Sequence, residues 1–171
     1  PMLPITCEAC RQPTLTHDVV NYGSMERGYR KLCGRCFNEA VASHLGLQGF
    51  EHVSFEPVRM ADGNGTEHEF RFRTRLFGSG MAIDAFELRD GCPAGYQFQM
   101  VGDPYDDPLE LLGKLIGKMR RALAITHLED SDLGVQVNDG LTLRGTVSSE
   151  PDSDLREPIV VVDGREISWS E

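Results

Sequence analysis

Four of the five cysteines fall into two Cys-x-x-Cys pairs: Cys7 and Cys10 in "CEAC", and Cys33 and Cys36 in "KLCGRCFNEAVASHLG". Twenty-two residues separate the pairs. A Cys-x-x-Cys turn presents two sulfurs to one ion, and two such turns complete the tetrahedral shell that Zn(II) takes in structural sites. The ligand set read from this spacing is Cys7, Cys10, Cys33 and Cys36, holding structural Zn2+; iron–sulfur ligation is the minor alternative. A redox role would suit a lone pair before a helix, but two matched pairs argue against it. Four thiolates also leave no open position for water or substrate, which a catalytic zinc needs. Cys92 stands alone and outside the shell.

The elements around these cysteines should position them. Phe37, Val41 and Leu45 recur at i, i+4 and i+8, so a helix is expected to begin near the second pair and to be capped at its C-terminus by Gly46. The partial positive charge of a helix N-terminus favours thiolate, which explains cysteines at such a start. Leu47 and Phe50 extend the apolar surface beyond the cap. This arrangement resembles treble-clef zinc fingers, in which a knuckle supplies one cysteine pair and the start of a helix supplies the other. The resemblance covers Cys7 to about Leu45. By it, Cys7 and Cys10 match the knuckle and Cys33 and Cys36 the helix-start pair. It implies a metal-braced unit without fixing what the unit does, since such fingers bind DNA, RNA or proteins, or only brace a larger fold.

Past residue 50 the period changes. Phe70, Phe72, Thr74 and Leu76 alternate with Arg71, Arg73 and Arg75, the pattern of a half-buried strand. "GSG" then offers a turn into "MAIDAFEL", and "GYQFQMVG" alternates again, so three strands of an antiparallel meander are expected. A helix is expected from Pro108 to about Leu128, with Asp107 as N-cap and Glu110 closing a capping box. Leu112, Leu115, Ile116, Met119 and Leu123 mark its buried face, and Gly113 and Gly117 read as points of close approach to the sheet. The tail carries two hairpin signals, at Asn138-Asp139-Gly140 and Asp163-Gly164, around a loop "SSEPDSDLREP". The expected fold class is α+β: an N-terminal treble-clef-like zinc finger over residues 1–50, then an acidic α+β domain over 51–171 with an antiparallel sheet packed on one long helix. About 45 residues hold too little core to be stable unaided.

The net charge is −10, from 27 acids and 17 bases, and four thiolates on Zn(II) would bring it to about −12. Residues 1–52 balance five acids against five bases, whereas residues 130–171 hold ten acids and three bases. Such a molecule should repel nucleic acid as a whole. A local patch remains: Arg27, Arg30, Lys31 and Arg35 surround the second cysteine pair, with Tyr22 and Tyr29 placed to stack on bases. The three strand arginines read as the wet face of the sheet, paired with Asp84 or Glu87. Lys114, Lys118 and Arg121 read as a solvated helix face.

Acid–base candidates are thin. Asp103, Asp106 and Asp107 invite a Mg(II) reading, but capping explains them. His17, His44, His52, His68 and His127 are scattered, with His127 near the expected end of the long helix. "GCP" around Cys92 reads as a turn, its thiol possible as a buried one. "DGNGTEH" and "FGSG" lack phosphate-loop and dinucleotide patterns. The expected function is a non-enzymatic zinc-binding module for protein interaction or regulation. Its alternatives are a nucleic-acid binder and an enzyme whose site joins His127 or Cys92 to the Asp103–Asp107 acids. A protein partner is expected, no membrane, and a possible homodimer through strand edges; Trp169 reads as a core residue or an interface one. With no run of 18 apolar residues and no secretory pattern, a cytoplasmic location is expected.

Overall fold

A computed structural model describes residues 4–149 and 158–168. The chain opens with two ribbons. β1 (Ile5–Thr6) pairs with β2 (Pro13–Thr14), and a 3-10 turn at Thr16–Asp18 leads into β3 (Val19–Ser24), which pairs with β4 (Gly28–Cys33). Helix α1 (Gly34–Leu45) follows directly. Gly46 closes it in the left-handed conformation, and Leu47 N–H returns to the Ala42 carbonyl, the expected cap.

The body is a meander of β5 (Val58–Ala61), β6 (Glu67–Phe77), β7 (Gly80–Arg89) and β8 (Cys92–Gly102), hydrogen-bonded in that order and antiparallel throughout. The expected strands are present, and β5 adds a fourth whose four residues were too few to announce it. The register places Phe72 opposite Ala85, Thr74 opposite Ile83 and Leu76 opposite Met81. With Phe70 these form one apolar face, covered over β7 and β8 by helix α2 (Pro108–Leu123) through Leu111, Leu115, Met119 and Leu123, and over β6 by α1, whose Ala42 joins the same core. The α+β arrangement, cysteine-bearing region first and sheet on a long helix second, is thus the one the periodicities indicated.

Several local expectations fail. Helix α2 ends at Leu123, not Leu128, because the Gly63 amide takes the Leu123 carbonyl and the chain turns away. Its buried stripe runs through Leu111 rather than Ile116, which is half-buried. Gly113 and Gly117 face outward, where a Cβ would meet either nothing or the Arg121 side chain at 3.5 Å, so they mark no close approach. Asp107 caps as expected, accepting from Leu109 N–H at 2.9 Å, but Glu110 bonds forward to Lys114 at 2.8 Å instead of closing a capping box. In α1 the buried line is Gly34, Asn38 and Ala42, one position round from the expected stripe, and Leu45 is exposed.

The C-terminal part makes β9 (Leu128–Ser131), β10 (Gly134–Val137), β11 (Gly145–Ser149), β12 (Pro158–Val162) and β13 (Arg165–Ser168). Asn138-Asp139-Gly140 does turn, with Leu141 N–H on the Asn138 carbonyl, but it joins no hairpin. β10 pairs backwards with β9, and β11 pairs forwards with β12. The Asp163-Gly164 hairpin forms as expected between β12 and β13, both residues at positive φ as such two-residue turns require. Gly164 lies flat on the Tyr96 ring, where a Cβ would come to 2.8 Å, and so seats this hairpin on the body. Most of the expected loop before β12, and Trp169, lie outside the described residues.

Candidate metal centre

The knuckle between β1 and β2 is shaped by backbone bonds: Cys7 N–H donates to the Gln12 carbonyl and Arg11 N–H to the Cys7 carbonyl, each at 2.9 Å. Arg11 takes positive φ (63°) to close this turn. The knuckle is held against β4 by Glu8, whose N–H donates to the Lys31 carbonyl and whose carboxylate accepts from Lys31 N–H. Cys33 is the N-cap of α1, and Cys36 lies in its first turn. Asp18 braces that start, accepting from Gly34 N–H at 3.2 Å; a Cβ at position 34 would stand 2.6 Å from the Asp18 carboxylate.

These elements bring Cys7, Cys10, Cys33 and Cys36 together, with every Sγ within 4.8 Å of the other three. A regular tetrahedron of metal–sulfur bonds of about 2.3 Å sets its sulfurs roughly 3.8 Å apart. The Cys10 and Cys33 sulfurs stand 3.9 Å apart. Cys7 is buried, Cys33 and Cys36 are half-buried, and Cys10 reaches the surface. Burial raises the Cys7 thiol, but the backbone N–H groups of Cys10, Cys33 and Ala9 outweigh it and bring the group down to about 6. Burial pushes Cys36 up, and shared protons with the neighbouring sulfurs push it further. Cys33 is raised for the same first reason. Four such thiols cannot all ionise side by side unless a cation joins them, so the donor set fits a metal ion.

The site is tied to the body by Asn38. This fully buried side chain accepts from Leu76 N–H at 2.9 Å and donates to the Thr74 carbonyl at 2.7 Å. β5 covers β6 only as far as Phe70, so Asn38 satisfies two backbone groups of β6 that lack a neighbouring strand. His52 completes the arrangement: its Nδ1 accepts from Asn38 and its Nε2 donates to Ser54. Burial holds the ring below the ordinary imidazole value, in keeping with the neutral tautomer these bonds require. A polar residue in the middle of an i, i+4 line of small residues was the signal for Asn38, and a purely apolar periodicity passes over it.

The opposite face of the sheet carries Arg71, Arg73 and Arg75, and it is not simply wet. The turn at His17 covers part of it, with the His17 ring edge-on to buried Phe86. Arg73 lies over Phe86, bonds Asp84 at 3.1 Å and donates to the His17 carbonyl. Of the two expected carboxylate partners, Asp84 is used and Glu87 instead takes His68. Lys114, Lys118 and Arg121 sit on the exposed side of α2, across the sheet, so the two basic stripes do not form one surface. In the β3–β4 hairpin, Arg27, Tyr29, Arg30 and Lys31 are all exposed, while Tyr22 packs edge-on against Phe37 and Arg35 bonds Glu39.

The acid–base candidates are not gathered. Asp103, Asp106 and Asp107 accept from the backbone of Tyr105, Asp103 and Leu109. Cys92 is exposed and opens β8 instead of lying in a turn; Asp103 follows the other end, roughly 33 Å away at the usual strand rise. His127 lies past the end of α2. Its N–H, like that of Leu128, donates to Asp163, and its Nδ1 bonds the Thr142 carbonyl. One group the sequence did not announce is a charged network inside the body. His68 is bonded by Glu87 at 2.7 Å and Asp62 at 3.1 Å. Burial opposes its charge, but the two carboxylates prevail and raise it above the ordinary imidazole value. The Asp of "DGNGTEH" also accepts from Asn64 and Thr66 N–H, so this loop is an Asx turn built around His68.

The chain is similar to three family models in succession, each described only as a domain of unknown function: DUF7685 over residues 6–48, DUF7686 over 51–124 and DUF7713 over 127–171. No curated protein and no solved structure matches it. The first model spans the cysteine unit, the second the sheet with α2, and the third the C-terminal strands. Among the described residues no helix is long and apolar enough to cross a membrane.

Proposed function

We propose that the four cysteines bind one structural Zn2+ in a treble-clef finger and that the protein is a non-enzymatic interaction or regulatory module. The observation that carries the metal reading is the mutual approach of the four sulfurs within 4.8 Å. That spacing suits a single ion; an iron–sulfur cluster would place its own irons and sulfides among the cysteine sulfurs and spread them wider. The order of knuckle, hairpin and helix supports the treble-clef assignment. Protein ligands fill all four positions, so the ion braces the fold instead of activating water. An interaction role is supported by the dispersal of the acid–base candidates and by the exposed apolar side chains after α2.

A second reading rests on the exposed Tyr29 with Arg27, Arg30 and Lys31: the β3–β4 hairpin binds single-stranded nucleic acid. Titration with labelled DNA and RNA at low salt separates the two, since the nucleic-acid reading requires an affinity that falls as salt rises. The zinc assignment is tested by elemental analysis and zinc-edge X-ray absorption, with one zinc and four sulfur neighbours expected. Affinity should weaken as pH falls, because protons compete for the thiolates. A protein that keeps its fold and heat resistance after chelation would refute a structural ion.

A further inference from the structure

Of the large apolar side chains that stand exposed, six fall between residues 133 and 147: Leu133, Val135, Val137, Leu141, Leu143 and Val147. That is a stretch of 15 residues in a chain of 171, so the exposure is concentrated and not the scatter usual on a protein surface. The same stretch contains a strand paired on one side only among the described residues. β10 has β9 on one side and, among the described residues, no strand on the other. Asn138 N–H bonds the His127 carbonyl across the ribbon, and backbone groups alternate sides along a strand. Positions 136 and 134 therefore point toward β9, while the N–H and C=O groups of Val135 and Val137 point outward. An outward row of backbone groups is a template for an added strand.

Charge selects the occupant. Residues 128–147 hold Glu129, Asp130, Asp132 and Asp139 against Arg144 alone. Asp130 is neutralised by Arg165 at 2.9 Å, which leaves Glu129, Asp132 and Asp139 outside the ion pairs of the described residues. A second copy would bring like charges face to face, so a homodimer through this edge is disfavoured. We infer that β10 receives an extended, basic segment of a partner protein, with Lys or Arg alternating with β-branched residues, added as a strand along Val135–Val137. The backbone supplies the pairing, the valines and leucines the apolar contact, and the acids the choice of sign. This rests on the interaction-module reading but not on the metal.

The test titrates the full chain as purified with the capped peptide KVKVKVKV and with EVEVEVEV, following backbone amides by NMR. Shifts confined to residues 133–147 and at least tenfold tighter binding of the basic peptide are expected, with affinity falling as salt rises. Val135→Pro removes one outward donor and should weaken binding about tenfold while the Gln136 and Asn138 amides keep their β9 environment. If that variant loses the ribbon, Asp132→Lys with Asp139→Lys, both exposed, serves instead and should reverse the preference between the peptides. Equal binding of both peptides, no binding, or dimerisation through β10 would each overturn the inference. A random peptide display run in parallel distinguishes the failures. Binders that map elsewhere overturn only the β10 site, and an absence of binders overturns the interaction reading as well.

Discussion

The cysteine-bearing unit through α1 and the strands after α2 are both built on short hairpins that cannot bury a core of their own. They differ in what holds them. The first region gathers four sulfurs and inserts Asn38 into the sheet, so its anchors are a metal-type cluster and a buried carboxamide. The second is fastened by Asp163, which accepts from two successive backbone N–H groups, by the Arg89–Glu166 ion pair at 3.3 Å and by Gly164 on Tyr96, with Val161 and Val162 buried beneath. The first can leave its hairpin tip in water because the cross-link sits at the base. The second leaves six large apolar side chains uncovered, a surface more suited to a partner than to solvent.

The strongest way to break this contrast is Cys33→Ser. It removes one ligand while leaving serine as a competent N-cap of α1, so the loss is that of the metal, against a zinc-binding free energy on the order of 10–16 kcal/mol in small zinc units. Hydrogen exchange should show residues 5–45 losing protection while β9–β13 keep theirs; equal loosening of both regions would erase the distinction. Asn38→Leu should come next. It orphans Leu76 N–H and the Thr74 carbonyl in a buried place, for a loss of roughly 2–4 kcal/mol by chemical denaturation. Zinc content should stay at one, which separates the join from the metal site. Asp163→Ala should be smallest, about 1.5–3 kcal/mol, as one carboxylate with two backbone donors is lost. Here the exchange should rise in residues 127–168 and leave the cysteine unit unchanged.

How much was legible in the sequence follows the same division. The cysteine pairs were readable because a tetrahedral ion demands a fixed number of donors at short spacing. β6 and α2 were readable because one face of each is apolar at its own period. β5 was not, since its alternation, Val58 and Met60 inward with Arg59 outward, spans too few residues to stand out from the loop around it. Pairing after α2 was misread because Asn138-Asp139-Gly140 is a strong local turn. What decides there is a longer-range bond, Asn138 N–H to the His127 carbonyl, and the Asn138 side chain on the Thr126 carbonyl. The end of α2 was misread for a related reason: the Gly63 amide that stops it lies 60 residues earlier in the chain. Polar groups that serve the backbone at a distance, Asn38 and Asp163 above all, leave no trace in an apolar periodicity.

Asn38 also bears on the fate of a molecule short of metal. While α1 is held by the cysteines, its carboxamide sheathes the rim of β6 at Thr74 and Leu76, beside an outward Phe77. Should the ion leave and α1 loosen, that rim is bared in a body that is otherwise still folded. A native-like body with a naked hydrophobic rim is a seed for stacking, not an inert coil. Zinc scarcity would then reveal itself first as turbidity and insoluble protein, ahead of any loss of helix α2.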